Sequence, residues 1–349
     1  RIVENPYDNQ AWLEADKPFQ FLAWCHEMSA LNKQGWGFET RLPVSADGSC
    51  NGLQHLSAIL RDERGGHATN LIPSDLPQDI YTQVAEESLR RVQQDDSEIA
   101  RKCLSFGIDR KIAKRPVMIV PYSGTRHSCR AYIEDAIWDK IKEGAPNPFG
   151  DDLFEAASYL SGHVWESIAG VIQSARQVMD YVKDVADIYP GHKKHMEWVT
   201  PTGWLVLQQY HELEQKRIKT HISGDVVSLS FPREKEDTVN RKRTALGSSP
   251  NFIHSLDAAA MTKTINRCTQ VGIEDFAMVH DSYGTHSSNM VQMSDILREE
   301  FVRMYEEHDV LEELRQHAMR TLRTEDVPVP PSKGNLDLAN VLKSAYFFA

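Results

Sequence analysis

The sequence predicts a helix-rich α+β fold, and three observations carry that expectation. Apolar residues recur at helical spacing through most of the chain. Residues 196–232 instead gather strand formers between turn glycines. Two strand-like apolar segments, far apart in sequence, each run into an aspartate, in DGSCNGLQH at 47–55 and VHDSYGTH at 279–286.

Taken in order, a first helix is expected over roughly 16–31, where Phe19, Leu22, Ala23 and Cys25 form an apolar stripe. A strand at 41–46 feeds the DGSCNGLQH turn, 52–61 reads as helix, and Gly65 and Gly66 break the pattern. Helices follow at 76–94, 97–114, 126–142 and 152–187, with the Pro- and Gly-containing stretch 144–150 as a surface loop. Val199, Leu205, Val206 and Leu207, then Ile218, Ile222, Val226, Val227 and Leu229, with Gly203 and Gly224 at turns, describe β-hairpins. A helix at about 253–270 comes after Pro250. It is followed by a strand at 275–279, the HDSYGTH turn, a second strand at 283–287 and helices near 290–307 and 309–322. A Pro-rich run, Pro328–Pro331, leads to an apolar tail ending Tyr346, Phe347, Phe348 and Ala349.

With 349 residues and 41% hydrophobic content, the chain can bury the core of one large domain or of two intimately joined subdomains. No apolar run approaches the roughly 20 residues that span a bilayer, and the opening RIVENPYDNQ lacks the apolar centre of a signal peptide. No membrane association and a cytoplasmic location are expected. Cys25, Cys50, Cys103, Cys129 and Cys268 are odd in number and scattered, which argues for buried reduced thiols over a disulfide framework or a zinc ribbon. A net charge of -11 sits poorly with phosphate binding. Basic clusters nevertheless occur at Arg110, Lys111, Lys114 and Arg115, at Lys193 and Lys194, and at Arg241, Lys242 and Arg243. Each cluster, taken alone, reads equally as a solvated helix face.

Asp47 precedes Gly48, whose lack of a side chain lets the backbone approach a metal or phosphate. An Asx turn or a helix N-cap accounts for Asp47 as well. Asp281 sits between His280 and Ser282 at the exit of the apolar FAMV segment. If the two strands pair, their aspartates converge and repel unless cations lie between them, which makes a pair of Mg²⁺ ions the natural occupant. In RKIAKRPVMIVPYSG, Arg110, Lys114, Met118 and Tyr122 recur every four residues and would line one side of a helix. Such a row could grip a triphosphate and a sugar, or be an amphipathic surface helix with an aromatic end. Pro116 removes a backbone donor, so a bend is expected between the cations and Tyr122.

These elements, in this order, resemble the motifs of the single-subunit DNA-directed RNA polymerases of bacteriophages and mitochondria. The likeness extends to SAILRDE after the first motif, SPNFIHSLDA at 249–258, HDSYGTH and the terminal KGNLDL with its aromatic tail. The resemblance implies a right-hand polymerase palm, with a small antiparallel sheet, and fingers. Residues 1–95 would open the palm, 96–195 form the fingers, 196–248 hold a hairpin placed like the promoter-reading loop, and 249–349 complete the palm. It further implies that Asp47 and Asp281 bind catalytic Mg²⁺ with the Gly48 carbonyl, and that Arg110 and Lys114 contact the incoming triphosphate. Tyr122 would select ribose, His254 would lie near the nucleotide and primer end, and His280 would flank the metals. DNA template, RNA transcript and nucleoside triphosphates are the implied partners. A second polypeptide is expected to supply the thumb and N-terminal region, which family members carry ahead of the first motif. A family A DNA polymerase would carry His-Asp-Glu where Ser282 follows Asp281 here, and a catalytically silent nucleic-acid-binding subunit is the reading from another class. His192 and His195, flanking two lysines, make a poor setting for the cation of a metal hydrolase.

Overall fold

The structure is a computed structural model that describes residues 1–122, 124–150 and 152–348. Helix α1 (Pro18–Gln34) is followed by strand β1 (Pro43–Asp47), α2 (Asn51–Leu60), α3 (Glu63–Ala68) and α4 (Ile80–Val92). A helical layer continues with α5 (Glu98–Phe106), α6 (Arg110–Met118), α7 (Arg126–Lys142), α8 (Phe154–Val171) and α9 (Gln173–Ile188). Two hairpins come next, β2 (Met196–Val199) with β3 (Leu205–Gln208) and β4 (Glu212–Ile222) with β5 (Asp225–Lys235). The chain closes with α10 (Arg241–Gln270), β6 (Ala277–Val279), β7 (Ser282–His286), α11 (Met290–Glu307), α12 (Val310–Leu322) and the aromatic tail. The helix-rich α+β expectation holds. No helix among the described residues is long and apolar enough to cross a membrane.

Helix α2 is the centre of the packing. All ten of its residues are buried, and it lies against α9 and α10. Its polar side chains are therefore under obligation to find partners. Gln54 Nε2 donates to the carbonyls of Thr69 and Phe347 at 2.9 and 2.8 Å, and His55 Nδ1 meets the Tyr305 hydroxyl at 2.5 Å. In the helical layer α4 packs on α6 and α8, and α7 on α6 and α8. Across α10, buried Trp198 of β2 donates its indole N–H to Ser255 Oγ at 2.9 Å while its ring meets Phe252 edge-on.

Several boundaries differ from the sequence expectation for identifiable reasons. The helix expected over 97–114 is two, because Gly107 takes φ 90 at the end of α5 and Asp109 caps α6 by accepting from the Lys111 and Ile112 amides. The one expected over 152–187 divides at Ile172. Gly65 and Gly66 do not break a helix but lie buried inside α3, where Gly66 meets Leu336. The helix expected from 253 begins at Arg241, since Asn240 caps it by accepting from the Arg243 amide at 2.9 Å, and Pro250 is carried within it. The HDSYGTH turn shrinks to His280 and Asp281, with the rest in β7. The stripe on α1 is apolar but meets no core: none of its helix's residues is buried, and Trp24 and Trp36 stand exposed. Of the cysteines, all free, Cys103, Cys129 and Cys268 are buried, while Cys25 and Cys50 keep partial exposure. Ala349 lies outside the described residues.

The sheet that positions the site has the order β1-β7-β6, antiparallel throughout. Its middle strand is tightly confined: a Cβ added at Gly284 would stand 2.7 Å from the Ala277 carbonyl oxygen and 2.8 Å from Ser45 Oγ. Backbone of β6 cannot yield without losing the ladder. Gly284→Ala is therefore expected to destabilise the protein by about 1–3 kcal/mol, read as a lower midpoint in thermal or urea unfolding; an unchanged midpoint would refute this account of the sheet.

Candidate active site

Strand register builds the site. β1 pairs with β7 so that Asp47 faces Ser282 across the ladder, with buried Ala46 opposite buried Tyr283. Side chains alternate along a strand, so placing Ala46 inward turns Asp47 outward, where it keeps exposure. β6 and β7 are joined by a two-residue turn, Val279 being opposite Ser282, and His280 takes φ 53 at its first position. Asp281 is thus held at the lip of the sheet beside Asp47. The Gly48 amide donates to the Asp281 carbonyl at 3.1 Å, tying the two turns together.

The proximity has an electrostatic signature. Partial burial, and then the neighbouring Asp281 carboxylate, hold the Asp47 carboxyl above its usual range, against the opposing pull of the Gly48 amide and Lys17. Two adjacent carboxylates and the Gly48 carbonyl form a hard, all-oxygen set that suits Mg²⁺. The Gly48 carbonyl already accepts from the Cys50 amide at 2.9 Å, which leaves its second lone pair. No group of three His, Cys, Asp or Glu side chains suited to a metal occurs among the described residues. A cation here would complete its shell with water or ligand oxygens.

A cavity of about 430 Å³ opens above this pair, lined by Asp47, Gly48, Asp281, Arg110, Lys114 and Tyr122. The structure therefore gathers six of the residues singled out in the sequence. The seventh, His254 on α10, lies beside the cavity with its ring stacked on Tyr122, centroids 4.8 Å apart and planes at 28°. Burial, first among several influences, holds His254 below the ordinary histidine range, so the ring is neutral at neutral pH. Burial, followed by the fields of Cys50, Asp281 and Asp257, pushes the Tyr122 phenol up to about 12, so its hydroxyl keeps its proton.

The four-residue row is realised in two pieces. Arg110, Lys114 and Met118 share a face of α6, which ends two residues beyond Pro116, and Tyr122 sits on a separate 3-10 turn, Val120–Tyr122. Tyr122 is seated by Gly52 of α2, where an added Cβ would stand 3.3 Å from its hydroxyl. The cations, alike in sequence, differ in state. Arg110 Nε bonds Asp79 at 2.5 Å and its guanidinium lies 5.1 Å over the Tyr81 ring. Lys111 pairs with Glu143 and Arg115 with Asp135. Lys114 alone of this cluster has no ion pair among the described residues.

Sequence reading missed two supports of the site. Asp79 was legible as a helix N-cap ahead of IYTQV, and it accepts from the Tyr81 amide, but its pairing with Arg110 arises only in the fold. The aromatic tail is bonded beneath the first aspartate's turn: Ser49 Oγ donates to the Tyr346 carbonyl at 3.0 Å, and Gly48 forms a β-bridge with Phe348.

A family model described as DNA-dependent RNA polymerase matches residues 1–329. The chain is 32% identical to T7 RNA polymerase of Escherichia phage T7 over 99% of its own length and 44% of that protein's. It is 30% identical to the DNA-directed RNA polymerase of Enterobacteria phage K11, covering 43% of it, and 33% identical to the mitochondrial DNA-directed RNA polymerase of Mus musculus, covering 30%. The chain thus spans less than half the length of these relatives. By family model and by relatives from phage and organelle alike, it belongs to the phage- and mitochondrial-type DNA-dependent RNA polymerase family.

Proposed function

We propose that this site performs template-directed RNA synthesis, joining a nucleoside triphosphate to the 3′ end of a growing transcript on a DNA template. The observation that carries the reading is the adjacency of Asp47 and Asp281 at the end of the β1–β7 ladder, sharing one cavity with Lys114, which has no ion pair among the described residues. Asp47, Asp281 and the Gly48 carbonyl would hold two Mg²⁺ ions, which when bound supply charge that activates the attacking hydroxyl and stabilises the leaving pyrophosphate.

The chain's own residues have separable parts in this reading. Lys114, without an ion pair among the described residues, offers its ammonium to the triphosphate. Arg110 is anchored through Nε to Asp79, which leaves its terminal nitrogens to meet phosphate. Tyr122, protonated and braced by His254, presents a hydrogen-bond donor to the sugar. In this partition residues 1–95 and 249–349 are the palm, 96–195 the fingers and 196–248 the hairpin region. The β4–β5 hairpin is exposed along nearly its whole length and mixes Lys216, Arg217, Lys219, Arg233 and Lys235 with Glu212, Glu214, Asp225 and Glu234. Family membership, together with Ser282 in the third position of the second motif, favours RNA synthesis over a DNA polymerase core.

A second polypeptide completes the proposed enzyme. Its support is the unburied arm formed by residues 1–42, whose Tyr7, Phe19, Trp24 and Trp36 are exposed. A basic partner would also offset the net charge of -11. Size-exclusion chromatography of the chain with a polypeptide encoded beside it is expected to give a joint peak that Trp24→Asp weakens. A fully active monomer would overturn this.

Primer-extension kinetics test the chemistry. Asp47→Asn and Asp281→Asn are each expected to lower elongation at least ~10²-fold, about 3 kcal/mol of barrier, with the fold intact by circular dichroism. Lys114→Ala should chiefly raise KM for the nucleotide. Tyr122→Phe should narrow the preference for ribonucleotides over deoxyribonucleotides, and an unchanged preference would remove Tyr122 from sugar selection.

A further inference from the structure

One largely buried carboxylate is assigned no role in the chemistry above. Asp257 lies on α10, one turn beyond His254, and its side chain is only 13% exposed. Asn51, at the first position of α2, donates its amide Nδ2 to Asp257 Oδ1 at 2.6 Å. His55, one turn further along α2, brings Nε2 to 3.8 Å from the same oxygen, within range of charge but beyond a hydrogen bond. His55 is held from the other side, where Nδ1 meets the Tyr305 hydroxyl and the ring lies 5.2 Å from that of Phe301. Burial opposes ionisation of Asp257, yet His55, Asn51 and His254 together keep its carboxyl below the ordinary range.

The position of this contact matters more than its strength. Asn51 follows Gly48 by three residues, so whatever fixes Asn51 fixes the exit of the turn that carries Asp47 and the Gly48 carbonyl. A Cβ added at Gly48 would stand 3.0 Å from Asn51 Cβ, which shows how closely the two are packed. On the other side Asp257 belongs to the helix that carries His254, and through it the stack on Tyr122. Breaking one partner of a largely buried, hydrogen-bonded charge leaves the other unsatisfied, so losing this contact is costly.

We infer that Asp257 is a positioning residue, which locks the metal-carrying turn of α2 to the nucleotide-side helix α10 through Asn51. This rests on the proposed reading of Asp47 and Asp281 as metal ligands. The lock holds the two halves of the site, separate in sequence, at one fixed spacing.

The test exchanges the partners. Asn51→Asp sets two carboxylates in contact, and the double variant Asn51→Asp/Asp257→Asn restores the same hydrogen bond with donor and acceptor reversed. Binding of Mn²⁺ alone, followed by electron paramagnetic resonance on the full chain, gives a readout independent of synthesis. Asn51→Asp is expected to weaken Mn²⁺ binding at least 5-fold and to lower kcat for elongation at least 10-fold with KM for the nucleotide within 2-fold. The double variant should recover most of both losses. Asn51→Ser, which shortens the donor without adding charge, should give a smaller loss of Mn²⁺ affinity in the same direction, and serves if Asn51→Asp does not fold. Unaltered Mn²⁺ affinity in Asn51→Ser and Asn51→Asp, or no recovery in the exchange, would overturn the lock. If Asp47→Asn binds Mn²⁺ as well as the unaltered chain, the metal-site reading itself fails, and the lock with it. Loss in Asp47→Asn with none in the Asn51 variants refutes the lock alone.

Discussion

Like charges brought side by side repel, and the pairing of β1 with β7 does just that to Asp47 and Asp281. The rest of the structure can be understood as the means of holding this unfavourable arrangement. Period-two alternation makes the register unforgiving: a slip of one residue would carry Asp47 to the buried face and Ala46 to the cavity. What prevents the slip is burial on both flanks. Ala46 and Tyr283 are sunk together, Tyr283 meets Phe348 edge-on, and α2, which leaves the first aspartate's turn, is enclosed along its whole length. Apolar burial on the opposite face of the strands, and along α2, thus offsets the electrostatic penalty between the carboxylates.

Much of this was legible in the sequence, and the misses have physical causes. Helical periodicity located α7, α11 and α12 within a residue or so at either end, because each shows a capping residue or a clear polar boundary. Local signals failed where two of them competed. At 97–114 the apolar period ran on past Gly107, while the glycine's left-handed backbone and the Asp109 cap ended one helix and began another. At Pro250 the proline read as a start, but Asn240 had already capped the helix, which carries Pro250 in its interior despite the lost backbone donor. The α1 stripe had the right spacing and no core to meet, since amphipathicity announces a face and does not supply its partner.

For the site, sequence spacing named the residues but could not rank them. Arg110 and Lys114 are one turn apart and chemically similar, and nothing local distinguishes them. Their difference arises from Asp79, some thirty positions earlier, which pairs with Arg110, whereas Lys114 has no ion pair among the described residues. The same holds for Asn51 and Asp257, whose contact joins residues 206 apart. Capping, periodicity and turn chemistry are properties of a window, whereas ion pairing and buried polar contacts are properties of the closed fold.

The sequence distance between the two aspartates, roughly 230 residues, carries a consequence for biosynthesis. Ribosomes add about 5–20 residues each second, so on the order of tens of seconds separate the emergence of β1 from that of its ladder partner β7. Throughout that interval β1 is an open edge, and α2 stays uncovered until α9 and α10 have been made, the circumstances in which nascent chains engage chaperones or one another. Closure is thus a late, long-range event governed by contact order, and the yield of folded protein will depend on what shields this early segment while its strand partner is still being translated.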